Sequence, residues 1–178
     1  MSNNMVPIVI GVVVGGGIAA VIAYQIARFL RGSIKLSLPR TAFNPGETIK
    51  GSFDLHTKKA VQGNKLTVNL IGVQVTKTHK DGKTQTHSHE VYRDERLIED
   101  AREYPAGHTA RHEFELAVPN MGSSSFMNST VGLTFSAALS LIGNKQTRLE
   151  WRIEARLDAK GVDLAACKGV SVSMPQLL

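Results

Sequence analysis

The chain has 178 residues, 42% of them hydrophobic and 20% charged, with a formal net charge of +6. That length suits one domain with an appendage, and the mild basic excess is not the concentrated, aromatic-interleaved patch of a nucleic-acid surface. The single cysteine, Cys167, excludes an internal disulfide and fits a reducing compartment.

The first feature in chain order is an apolar run from Met5 to Ala27. No Asp, Glu, Lys, Arg or His precedes Arg28. As a helix rising about 1.5 Å per residue, the run spans roughly 34 Å, enough for a hydrocarbon core of about 30 Å. A cleaved secretory signal carries positive residues before its apolar core. Here the leader Met1-Ser2-Asn3-Asn4 has no side-chain charge, and Arg28, Arg31 and Lys35 follow the run. A buried soluble helix would keep a polar stripe. The expectation is a leader over 1–4, one transmembrane helix over 5–30 and a domain over 31–178.

Lys and Arg prefer the cytoplasmic side of a membrane. The flank Arg28, Arg31 and Lys35 therefore predicts a single-pass protein of the cell membrane. Its N-terminus lies outside, residues 5–27 contact the lipid bilayer, and the domain is cytoplasmic. Tyr24 and Phe29 fall at the inner interface. The mild positive charge suits a domain held near anionic headgroups. Gly11 with Gly15, and Gly15 with Ala19, make small-xxx-small pairs that permit close helix contact. Glycine is also common in membrane spans, and that plainer reading competes with a homodimer through this Gly-rich helix.

Past the anchor the hydrophobic period changes to two. Ile34-Lys35-Leu36-Ser37-Leu38 reads as a half-buried strand that Pro39 ends. Asn44-Pro45-Gly46-Glu47 is a turn, and Thr48–His56 alternates again, with Gly51 marking a bulge or a close approach. Gln62-Gly63-Asn64 reads as a second turn. Leu66, Val68 and Leu70 then face one way, and the alternation runs on through Val73 and Val75 past a bend or bulge at Gly72. Asp81-Gly82 is a two-residue hairpin signal. The returning arm, Lys83–Val91, is polar and reads as an edge strand or exposed ribbon. Arg93–Tyr104 is densely charged and fits either a short helical turn or an irregular edge.

Pro105-Ala106-Gly107 is a turn before the alternating stretch His112–Val118, and Gly122-Ser123-Ser124-Ser125 is a loop. Val131, Leu133, Phe135, Ala137 and Leu139 make an apolar stripe at period two. Gly143-Asn144 turns the chain into Leu149–Ala155, where Trp151 is expected in the core beside Ile153 and Ala155. The last arm runs from Leu164 to Met174. About eight strands separated by turn signals predict an all-β, immunoglobulin-like antiparallel sandwich.

Several of these stretches together resemble arrestin-like domains, of the arrestin N-terminal and bacterial sporulation-control types. They are Phe43-x-Pro45-Gly46-Glu47-x-Ile49-x-Gly51-x-Phe53-x-Leu55, Leu66-x-Val68-x-Leu70-x-Gly72, and Tyr104-Pro105-Ala106-Gly107-His108 followed by Phe114-x-Leu116-x-Val118-Pro119. Trp151-x-Ile153-x-Ala155-x-Leu157-Asp158, then Gly161-x-Asp163-Leu164, completes the set. The resemblance implies a sandwich used for scaffolding, adaptor or trafficking work, without a catalytic site or cofactor. Arrestins proper have two sandwiches in tandem and are usually soluble. This chain has room for one and carries an apolar run.

The histidines supply the one candidate for metal chemistry. His87 and His89 share a side of a strand, and His79 lies across the expected hairpin, with Glu90 as a further donor. Zinc needs three or four such ligands, but the segment is polar and exposed, and solvated histidines are the simpler reading. His108 and His112 read as structural or exposed. Cys167, beside Leu164, Ala165 and Ala166, reads as a small buried thiol. Glu113 and Glu115 lie on a solvated strand face. Gly15-Gly16-Gly17 lacks the lysine and strand–helix context of a phosphate loop. The leading expectation is an anchored, non-enzymatic module that docks one or more proteins at its sheet edges or through Lys83–Arg102, and no nucleic acid. The alternative is a ligand- or metal-binding sensor using the His79–His89 hairpin. A third reading, a structural part of an envelope or secretion assembly, requires the sandwich to lie outside.

Overall fold

The computed structural model describes residues 30–80, 83–121, 123–128, 132–133 and 147–173. The apolar run over 5–27 with its glycine pairs, Arg28, the Asp81-Gly82 turn, the Gly143-Asn144 turn, Met174 and most of the stripe over 131–139 lie outside these residues. No helix among the described residues is long and apolar enough to cross a membrane.

Nine strands are described: β1 (Gly32–Ser37), β2 (Ala42–Phe43), β3 (Thr48–Thr57), β4 (Val61–Lys80), β5 (Lys83–Glu99), β6 (Arg102–Tyr104), β7 (Thr109–Ala117), β8 (Thr147–Ala159) and β9 (Leu164–Val172). They form two sheets. One has the order β1-β3-β7, and the other has the order β2-β9-β8-β4-β5 with β6 added beside β4. All pairings are antiparallel except the short parallel contact of β2 with β9. The inward stripes of both sheets meet in one core, with Ile49, Phe53, Leu55 and Phe114 from the first and Leu66, Leu70, Trp151 and Ile153 from the second. This is the expected sandwich, and Trp151 is buried in it at 4% exposure.

The turns with glycine behave as their chemistry dictates. In Asn44–Glu47 the amide of Glu47 donates to the Asn44 carbonyl at 3.1 Å, with Gly46 at φ +82°. In Pro105–His108 the His108 amide donates to the Pro105 carbonyl at 3.2 Å, with Gly107 at φ +78°. Both place glycine where a type II turn needs positive φ. At Gly51 the register with β7 is unbroken. The close approach comes from the Phe114 ring, whose Cζ would stand 2.6 Å from an added Cβ.

Four expectations need correction. Gln62-Gly63-Asn64 is not a turn. The chain runs through it as part of the 20-residue strand β4, with a register shift between Gly63 and Lys65. That extra residue resets the alternation, so that Val61, Gly63, Leu66, Val68 and Leu70 are all buried. Val73 and Val75 do not continue the stripe of Leu66–Leu70. They join Ile71 in a separate small cluster, because odd and even residues of an unbroken strand face opposite sides. The expected loop over Gly122–Ser125 contains a helical turn, α1 (Ser124–Met127), whose N-cap Ser123 accepts from the Phe126 amide at 3.3 Å. Leu133 is 64% exposed with helical backbone, so it does not belong to an inward strand stripe.

The charged stretch after Tyr92 is an irregular edge rather than a helical turn. β5 continues to Glu99 with register shifts opposite Leu66/Thr67 and Gly72/Val73. The residues left unpaired by those shifts, Ile98 and Val91, turn toward the core in an otherwise polar strand. The shift opposite Gly72 comes from the extra residue Val91 on β5, while β4 itself runs through Gly72 in unbroken register with β8.

Candidate functional site

Among the described residues, β4 and β5 extend well past the rest of their sheet. Thr76 is the last residue of β4 paired with β8 among the described residues, and beyond it Lys77–Lys80 pair with Lys83–Thr86 alone. The result is a two-stranded ribbon whose returning arm, Lys83–Glu90, is exposed at every residue. β5 is also the edge of its sheet, with no strand beyond it among the described residues. A 17-residue edge of this kind offers backbone donors and acceptors to an added strand.

Register decides what the ribbon histidines can do. His79 lies opposite Thr84, His87 opposite Thr76 and His89 opposite Gln74. With Lys80 opposite Lys83, odd residues of β4 share a face with even residues of β5. His79 is therefore on the face opposite to His87 and His89. Its Nδ1 lies 3.1 Å from the Thr84 hydroxyl instead. Among the described residues no group of three His, Cys, Asp or Glu side chains is placed to hold a metal ion. The two-residue Asp81-Gly82 turn signal, followed through, already implies this separation.

Lower on β5 the charges are matched. Arg93 donates from Nε and Nη2 to both carboxylate oxygens of Glu90, each at 2.7 Å, and this fork holds the Glu90 carboxyl below its ordinary range. Lys65 pairs with Glu95 at 2.6 Å. The Tyr104 hydroxyl donates to Glu99 at 2.7 Å. Burial, followed by the Glu99 interaction, pushes the Tyr104 phenol up, and burial with the nearby Asp94 raises that of Tyr92 to about 12. Leu97 stands 51% exposed on this strand. Such an edge is polar enough to discourage indiscriminate pairing and keeps one apolar handle.

The other expected site residues are scattered. Cys167 is exposed, not buried. Leu164 and Val170 set the inward parity of β9, so Cys167 points outward opposite Glu154, and its thiol donates to Oε2 at 3.5 Å. His112 is half-buried and stacks on Phe53 at 5.1 Å, and His108 packs on Tyr104 at 5.5 Å, so both are structural. Lys35 is exposed on β1 opposite Asp54. Arg31 is more than a charged flank. Its guanidinium donates to the carbonyls of Lys160 at 2.7 Å and Val162 at 3.2 Å, clasping a turn 129 residues away. A cleft of about 470 Å³ opens where β9 leaves β8 for β2, over Trp151, Leu149 and Val172, and Glu150 is the one titratable residue among its described lining.

Sequence comparison decides the family. The family model for the C-terminal domain of arrestin (or S-antigen) matches residues 32–167. The chain belongs to this arrestin family. The arrestin fold is also shared with Spo0M, the sporulation control protein of Bacillus subtilis, at a TM-score of 0.54 and 16% identity over 82% of this chain and 50% of that one. The chain thus spans half the length of that protein. None of the curated proteins matches the chain. In this arrestin domain the motif residues that carry the resemblance are core and turn residues: Phe53, Leu55, Phe114 and Ile153 line the core, while Gly46 and Gly107 make turns. None of them belongs to the exposed β5 edge.

Proposed function

We propose that this arrestin domain is a membrane-anchored, non-enzymatic module that docks another protein along β5. The observation that carries the docking is the long polar edge and ribbon, Lys83–Glu99, which no strand covers among the described residues. Arrestin-like domains generally serve protein interaction, which agrees with this use. Strand addition would supply backbone hydrogen bonds, and the ribbon side chains would supply selectivity. Anchoring is supported by the apolar run over 5–27 and the positive flank behind it. With that flank inside, the domain is cytoplasmic and the leader is outside.

The test has two arms. Membranes from cells making the full chain are washed with alkaline carbonate and floated, and retention in the lipid fraction supports the anchor. Crosslinking followed by solubilisation in detergent then asks for a partner protein that is lost when the β5 edge is altered. Capture that is unaffected by edge substitutions removes this docking mode. Digestion of the domain by protease added outside intact cells overturns the orientation. The separation of His79 from His87 and His89 disfavours the metal-sensor reading.

A further inference from the structure

The turns at one end of the sandwich gather basic residues. Lys58 and Lys59 stand between β3 and β4, Lys160 stands between β8 and β9, and Arg31 directly precedes β1. Backbone contacts hold them together. The Arg31 carbonyl accepts from the amides of Lys58 at 2.7 Å and Lys59 at 3.4 Å. The Arg31 side chain donates to the Lys160 carbonyl, and the Lys160 amide donates to the Gln62 carbonyl at 3.1 Å. The Pro105–His108 turn joins the same end through Thr57, whose amide donates to the His108 carbonyl at 2.9 Å, and it contains no carboxylate.

The three lysines are exposed. Asp163, the one acid within these turns, is held by Arg156 and accepts from the Ala159 amide at 3.0 Å. Glu103, opposite Gln62 on β6, is the next acid by register. This end is also where the chain enters the domain. Arg31 follows closely on Ala27, the last residue of the apolar run, and Leu30 at the junction is 47% exposed.

We propose that this basic end is a docking surface for anionic lipid headgroups, with Lys58, Lys59 and Lys160 seated on the membrane that holds residues 5–27. The inference rests on the anchoring proposed above. The attraction of lysines to an anionic leaflet falls off within a Debye length, about 8 Å at physiological salt. Only groups at the entry end are within that reach. β4 starts at this end and runs roughly 60 Å along its strand to Lys80. Docking therefore fixes the domain with its ribbon held away from the lipid, available to a partner.

The test uses the full chain in lipid nanodiscs of phosphatidylcholine alone and of phosphatidylcholine with phosphatidylserine. Lysine acetylation is followed by mass spectrometry at Lys58, Lys59 and Lys160, with Lys83 at the ribbon tip as the internal standard. The expected result is a several-fold slowing at the three lysines in anionic discs, none at Lys83, and loss of the difference near 1 M salt, where the Debye length is about 3 Å. Equal rates in both lipids, in a chain that enters both kinds of disc, overturn the inference and leave the anchor standing. Failure to enter either disc overturns both. In a second measurement, energy transfer from a dye on Cys167 to a lipid acceptor should depend on lipid charge in the native chain and not in Lys58→Gln/Lys59→Gln/Lys160→Gln. A charge dependence that survives in the variant also overturns it.

Discussion

Gly63 packs so closely against Tyr104 that a Cβ added to it would stand 2.7 Å from Cε2 of the ring and 2.9 Å from Cδ1 of Leu157. Tyr104 and Leu157 are both fully buried, so neither can swing clear. Gly63→Ala should destabilise the domain by about 1–3 kcal/mol, the usual cost of overpacking a core. Urea denaturation of the full chain in detergent, followed by Trp151 fluorescence, measures it. A variant as stable as the parent would mean that β4 shifts at its bulge to make room.

That same glycine marks the limit of what alternation reveals. Strands such as Thr109–Ala117 and Thr147–Ala159 were legible because period-two burial runs through them unbroken, between turns whose Pro and Gly have fixed roles. A bulge adds one residue and inverts the parity, so Gln62-Gly63-Asn64 has the composition of a turn while remaining extended. Cys167 misled for a related reason. Its three preceding neighbours are apolar, but the side it occupies is set by Leu164 and Val170. The entry-end cluster was invisible because Arg31 and Lys160 are joined only by folding. The polar β5 edge, in contrast, could be read directly from the run Lys83–Val91.

Cys167 gives a direct check on that parity. An exposed thiol in the native chain should react stoichiometrically with a thiol reagent at a rate close to that of the denatured chain. Cys167→Ser should change stability by no more than about 0.5 kcal/mol, as for surface substitutions generally. Protection of the thiol until unfolding would place it in a core instead.

Alkaline pH should weaken the fold through its tyrosines. Burial, followed by the Asp94 charge, raises the Tyr92 phenol from 10.0 to about 12, and burial likewise raises that of Tyr104. Between those two values for Tyr92 the unfolded chain has released a proton that the folded chain keeps, so stability falls as pH rises. The contribution is fully present below pH 10.0 and lost on passing about 12. Spectrophotometric titration of the phenolates should show ionisation later than in the unfolded chain. Tyr104→Phe should remove part of the delay and cost about 1.5–3 kcal/mol for its bond to the Glu99 carboxylate. Phenols that titrate at the free value in the folded state would contradict the burial seen here.

The core of the six-stranded sheet centres on Trp151, which lies against Tyr92 with ring centroids 5.3 Å apart. Its removal leaves a large cavity beneath Gly72. Trp151→Ala should cost about 3–5 kcal/mol, whereas Trp151→Phe should cost less by keeping an aromatic contact with Tyr92. Thermal unfolding of both variants beside the parent provides the comparison. Equal losses would mean that the indole ring contributes little beyond a phenyl.

The β5 edge makes the sharpest separation between folding and docking. Thr84, Thr86 and Ser88 are exposed on one face of the ribbon, and none of them belongs to either buried cluster. Thr84→Lys, Thr86→Lys and Ser88→Lys together should leave stability within about 0.5 kcal/mol of the parent. They would place lysine charges along an edge to which a strand must dock, a device that blocks strand addition. The expected outcome is loss of at least tenfold in partner recovery after crosslinking, with the unfolding midpoint unchanged. Leu97→Ala tests the lower edge in the same way, because that side chain is 51% exposed and its truncation leaves no buried cavity. Should the triple variant unfold at the parental midpoint and still capture the partner in full, docking must use another face, and β7, the edge of the three-stranded sheet among the described residues, becomes the surface to alter next.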